Sequence, residues 1–87
     1  MKYRSRTEIA SHILEAANGG ATKTKIMYKA FLSYAQLKEY LAILAQNGLL
    51  TNDVPATYKT TSKGIKFLNM VRQMDGLFVL ASHEKGT

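Results

Sequence analysis

Apolar residues recur early in the chain at helical spacing. Ile9, Ile13 and Ala16, joined by Ala10, Leu14 and Ala17, fall three and four residues apart and share one side of a helix. Ser5 precedes this stripe and Glu8 follows three residues later, the capping-box pairing in which each side chain satisfies an orphan backbone N–H. Gly19 or Gly20 supplies the left-handed residue that ends a helix. A first helix is therefore predicted at about 6–18. A second runs from about Lys23 to Phe31, with Ile26, Met27 and Ala30 on one face and Lys25 and Lys29 on the other. Leu32-Ser33 interrupts it. Ser33 and Gln36 form another capping box, with Leu32 and Leu37 placed to close a hydrophobic staple over it. A third helix follows at about 34–47 and stops at Asn47-Gly48. Two helices joined by so short a turn make a helix-turn-helix unit.

The period changes after Gly48. Leu49-Leu50-Thr51 and Thr57-Tyr58-Lys59-Thr60 are short Thr- and Tyr-containing stretches flanking a turn predicted at Asn52-Asp53-Val54-Pro55, which reads as a β-hairpin. Thr60, Thr61 or Ser62 then caps a last helix from about Ser62 to Leu80, weakened locally by Gly64 and Gly76. Helix, helix, helix, hairpin, helix is a mainly α winged helix-turn-helix. Residues 1–61 form the winged-helix region, 62–82 a C-terminal helix for packing and dimerisation, and 83–87 a flexible tail.

Length and composition narrow the classes. Eighty-seven residues support one core, and 46% hydrophobic with 21% charged residues is globular composition rather than disorder. The absence of cysteine excludes a disulfide framework, a zinc knuckle and thiol chemistry, and suits a reducing cytoplasm. No apolar run approaches the ~18 residues of a membrane span, and no apolar stretch follows the basic start as in a secretion signal. His12 beside the apolar stripe of the first helix and His83 in the tail read as bystanders. Gly19-Gly20-Ala21-Thr22-Lys23-Thr24 lacks both the spacing and the preceding strand of a phosphate-binding loop. No enzyme, metal, cofactor or small-molecule substrate is expected.

The charge is less ordinary. The net charge is +6, and residues 1–66 carry all of the excess while 67–87 are neutral. Such a chain meets nucleic acid, an anionic membrane or an acidic protein.

The span from Arg4 to Met74 resembles a family of small archaeal winged-helix proteins, described as predicted transcriptional regulators, some of them abundant chromatin proteins. The likeness is carried by Arg4-Ser5-Arg6-Thr7-Glu8-Ile9, by Gly20 to Ala30, and by Leu32-Ser33-Tyr34-Ala35-Gln36-Leu37-Lys38-Glu39-Tyr40-Leu41. Asn47-Gly48-Leu49-Leu50 and Tyr58-Lys59-Thr60-Thr61-Ser62-Lys63-Gly64 complete it. The resemblance implies double-stranded DNA binding by the third helix and the wing, with dimerisation through the C-terminal helix. Chromatin-type relatives carry a longer last helix in an antiparallel coiled coil. Little helix is read here after Met74, so a compact homodimer is expected rather than a long rod.

On the third helix, Leu37, Tyr40, Leu41 and Leu44 turn to the core, leaving Ala35, Lys38, Glu39, Ala42 and Gln46 outward. In a winged helix this face meets the major groove, where Lys38 can donate to guanine or phosphate and Gln36 or Gln46 can pair with adenine. An ordinary solvated helix face is the other reading of these residues. No arginine projects from it, so sequence specificity is expected to be modest. Lys23, Lys25 and Lys29 on the second helix suit phosphate contact, as do Lys59 on the wing, Lys63 at the next helix start, and the N-terminal Lys2, Arg4 and Arg6. Ser33, Tyr34 and Tyr58 complete the DNA-binding candidates, whereas Tyr28 and Tyr40 are expected in or against the core. No exposed aromatic row is visible for base stacking, which disfavours single strands. Phe67, Val71, Met74, Leu77 and Phe78 mark the dimer interface, with Phe67, Val71, Met74, Phe78 and Ala81 at heptad spacing. The expected function is a nucleoid-associated double-stranded DNA-binding protein, a transcriptional regulator or chromatin component. The alternative is a winged helix serving as a protein-interaction module in a transcription or RNA-processing complex.

Overall fold

Side-chain caps decide where the first three helices begin. The computed structural model describes residues 4–86, with side chains placed up to Met74 in the last helix. Helix α1 (Arg6–Ala16) starts at Ser5, whose hydroxyl accepts from the Glu8 N–H at 3.1 Å while Glu8 Oε1 accepts from the Ser5 N–H at 2.9 Å. Helix α2 (Lys23–Ala30) starts at Thr22, whose hydroxyl accepts from the Lys25 N–H at 3.2 Å. Helix α3 (Tyr34–Gln46) repeats the reciprocal box between Ser33 and Gln36, both bonds at 3.2 Å. Each such cap is worth about 1 kcal/mol. Helix α1 ends two residues short of the expected Asn18, because Ala17 is already its C-cap. Gly19 and Gly20 both take positive φ, +87° and +107°, so the reversal uses the two glycines together.

The wing consists of β1 (Leu50–Val54) and β2 (Thr57–Thr60), antiparallel, with Leu50 opposite Thr60 and Val54 opposite Thr57. Its turn is Pro55-Ala56, two residues later than expected. Proline followed by a residue at φ +63° is the type II combination. Asn52 and Asp53 sit where the register breaks between Thr51 and Val54, and Asn52 Nδ2 ties the tip by donating to Thr57 O at 2.6 Å and Val54 O at 3.1 Å. A two-stranded hairpin is marginal by itself. Here it is anchored, since Ala21 and Tyr58 exchange two backbone bonds of 2.8 Å and the Thr60 N–H donates to Ala17 O at 3.1 Å. The buried Thr60 hydroxyl also donates to Leu14 O at 2.6 Å, satisfying a carbonyl at the end of α1.

Helix α4 (Ser62–Gly86) is 25 residues long, about 37 Å of helix. It runs past Leu80 and includes residues 83–86, which read as tail. The expectation of little helix after Met74 is corrected accordingly. The polar Ser82-His83-Glu84-Lys85 run resembles a terminus, yet it contains no helix breaker before Gly86.

One core joins these elements. Ile13, Leu14, Ile26, Leu37 and Leu68 are its largest fully enclosed side chains, drawn from all four helices. Leu68 is the α4 residue that closes it, with Ile65 and Phe67 half-buried alongside. Gly64, read as a weak point, is where α4 crosses closest. A Cβ there would collide with the Leu49 carbonyl oxygen and lie 2.6 Å from Thr60 Cγ2.

Candidate nucleic-acid interface

The start of α2, the outer side of α3 and the wing enclose a hollow of about 340 Å³ lined by Lys23, Lys38, Ala42, Ala45, Asn52 and Tyr58, among others. A second hollow shares Lys23, Asn52 and Tyr58 and continues past Thr22, Thr24 and Ala56 along the wing. Each element contributes for a local reason. Thr22 caps α2 and so fixes where Lys23 emerges. The Ala21–Tyr58 bridge brings β2 against that same point. Ser33 sets the start of α3, which places Lys38 one turn inside it. Lys38 Nζ lies 5.7 Å above the Tyr34 ring, a cation–π contact that holds the ammonium near the hollow. Two lysines and a phenol at the rim, over a floor of small alanines, can accept a phosphate chain while letting a polymer approach the helix closely. Among the described residues, neither hollow has an acidic lining residue.

Other candidates are placed elsewhere. Lys59 is exposed and follows Tyr58 on β2, so it stands on the opposite face of the wing. Lys25 and Lys29 are exposed on the side of α2 away from the core, and Lys29 lies beside His12 and Glu15 of α1. Arg6 lines a separate hollow between α1, α3 and α4 with Tyr40, Ile43 and Phe67. Four polar groups are committed to the fold. Gln36 Oε1 and the Ser33 hydroxyl are used in the α3 cap. Lys63 Nζ donates to Asn47 O at 2.9 Å, capping the C-terminal end of α3. Arg4 is held furthest from any free role. Its Nη1 donates to Ala30 O at 2.6 Å and to His12 Nδ1 at 3.0 Å, and its Nη2 donates to Phe31 O at 2.8 Å.

The order of helices, the bridged hairpin and the α3 position are those of a known architecture. The family model described as winged helix-turn-helix matches residues 3–78. The chain belongs to the winged helix-turn-helix family. Among solved structures, this winged helix is similar to Sso10a-2, a DNA-binding protein from Sulfolobus solfataricus. The TM-score is 0.81, at 22% identity, over 95% of this chain and 90% of that one. At that identity the likeness is one of fold. No curated protein sequence matches the chain.

One feature of this winged helix corrects the sequence reading. Tyr28, expected against the core, is 70% exposed, and Phe31 is 81% exposed in a left-handed conformation. Position on the helix foretold the first, because Tyr28 lies two residues, or about 200°, from the buried Ile26. Of the dimer candidates, Phe67 is half-buried against its own core, Val71 is half-buried, and Met74 is 53% exposed beside Met70 at 59%. The side chains of Leu77 and Phe78 lie outside the described residues, as does Lys2. Among the described residues, no group of three His, Asp or Glu gathers as metal ligands, and no helix is long and apolar enough to cross a membrane.

Proposed function

We propose that this winged helix binds double-stranded DNA as a transcriptional regulator or chromatin component of the nucleoid. Helix α3 enters the major groove, Lys23 and Lys38 neutralise phosphates at the hollow beside it, and Lys59 reaches the backbone from the wing. Tyr34 and Tyr58 donate to phosphate oxygens. The observation that carries this reading is the convergence of Lys23, Lys38, Asn52 and Tyr58 on one acid-free hollow beside α3. The fold it shares with a protein described as DNA-binding supports it. The outward face of α3 offers alanines and one lysine, with no arginine, which suits weak sequence preference. Two copies associate through α4, where Val71 and Met74 continue into Phe78 at heptad spacing, with Leu77 beside it. The exposure of Met70 and Met74 supports this, since a lone domain gains nothing by showing both to water.

The test is duplex binding as a function of salt. Three cations on phosphate give a slope of log K against log[salt] of about −2.7 per protomer. Lys38→Ala and Lys59→Ala should each weaken binding to all sequences and reduce that slope by about 1. An affinity indifferent to salt, or capture of an acidic protein without duplex binding, overturns the reading.

A further inference from the structure

The solvent side of α2 carries a surface that duplex binding does not use. Residues along a helix rotate by roughly 100° each, so Tyr28 falls opposite the fully buried Ile26 and Ala30, with the exposed Lys25 and Lys29 within about 100° of it on one flank. Tyr28 is 70% exposed there. At the C-cap of the same helix Phe31 is 81% exposed. Aromatic and basic side chains are thus interleaved along one convex face.

Phe31 is the unusual member. Its φ and ψ are both 55°, a region that bulky side chains avoid. The position is destabilising on two counts, through the strained backbone and through an apolar ring left in water. Glycine or asparagine would satisfy the turn at lower free energy. Strain retained with an exposed functional side chain points to a ligand for that side chain.

The surrounding charge selects the ligand. Residues 16–38 contain four lysines and no acid. The acid that approaches Lys29, Glu15, is paired with Arg72 at 3.2 Å. We propose that Lys25, Tyr28, Lys29 and Phe31 form a second nucleic-acid site, specific for unpaired strands over duplex. The rings stack on unpaired bases and the lysines follow the phosphates. A duplex has no free base faces to offer, whereas every unpaired base has one. An apolar protein partner would call for a continuous greasy groove, and here the rings are separated by ammonium groups on a convex helix.

The experiment compares a labelled oligothymidylate of about 12 nucleotides with random duplex, using the full chain and the double variant Tyr28→Ser/Phe31→Asn. Asparagine tolerates the left-handed conformation, so the fold should survive, and Tyr28→Ser alone provides a second, surface-only variant. The wild type should bind the oligothymidylate, Tyr28→Ser should lose about 5- to 150-fold of that affinity, and the double variant about 30-fold or more. Duplex binding should change by less than about twofold. Equal losses on both probes overturn the proposal, because the rings would then belong to the duplex interface. So does an unchanged oligothymidylate affinity or a shift in sedimented mass. A chain that binds the single strand and ignores duplex refutes the duplex reading and leaves this site standing.

Discussion

Arg4 belongs to the fold, and the size of its contribution follows from its three bonds. The bond to Ala30 O is short and half-buried, and a cation donating to a carbonyl is worth about 1.5–3 kcal/mol when its loss strands the acceptor. The bond to Phe31 O is exposed, so water replaces most of it. Both acceptors lie at the C-terminal end of α2, where a positive charge also meets the negative end of the helix dipole favourably, a further few tenths of a kcal/mol. Arg4→Met keeps much of the aliphatic stem and removes the guanidinium, so it should destabilise by about 2 kcal/mol. In a domain of this size that lowers Tm by about 8–16 °C. Arg4→Lys should recover about half, because one ammonium cannot reach both carbonyls in the fixed fork of a guanidinium. Far-UV circular dichroism melts measure the effect. The salt slope of duplex binding, taken well below Tm, should be identical for wild type and Arg4→Met. A slope shallower by about 0.9, with Tm unmoved, would mean that Arg4 contacts phosphate and is not a clamp.

Two further predictions concern α4. Gly64→Ala should lower stability by about 1–2 kcal/mol, since the collision with the Leu49 carbonyl and the Thr60 methyl outweighs the gain in helix propensity. The same change at Gly76, where a Cβ meets nothing within 4 Å, should raise Tm, and a melt in which both variants gain stability refutes the close crossing. Met74→Asp alters a 53% exposed side chain, so the protomer should melt as wild type while its sedimented mass falls from dimer to monomer. An unchanged mass removes α4 as the self-association surface.

What the sequence made legible was local. Ser5 with Glu8 and Ser33 with Gln36 lie three residues apart, and a cap needs nothing beyond its own turn. The core stripe Leu37, Leu41 and Leu44 is equally local, because period alone selects the buried side. Features set by approach between distant segments were hidden. Arg4 meets carbonyls 26 and 27 residues away, and nothing in Arg4-Ser5-Arg6 distinguishes a clamp from a DNA-binding arm. Gly64 is required by Leu49 and Thr60 across a helix–strand crossing that no single segment encodes. The lysines show the limit for the site. Charge counting groups Lys23, Lys25 and Lys29 together, while rotation about α2 sends Lys23 into the hollow and the other two to the opposite side.

That division follows from how short α2 is. Eight residues give barely two turns, and Ile26 and Ala30 take the inward side. Lys23 in the first turn is positioned by the Thr22 cap and by the Ala21–Tyr58 bridge, so it belongs mechanically to the wing. Lys29, in the last turn, is next to the carbonyls that Arg4 holds, so it belongs mechanically to the helix-turn-helix corner. Phe31 is forced left-handed at that corner because the chain must turn within three residues to reach the Ser33 cap. The corner could have used glycine. Filling it with phenylalanine gives up stability at a position where no core contact repays it, which is why the exposed ring is better explained by a ligand than by the fold.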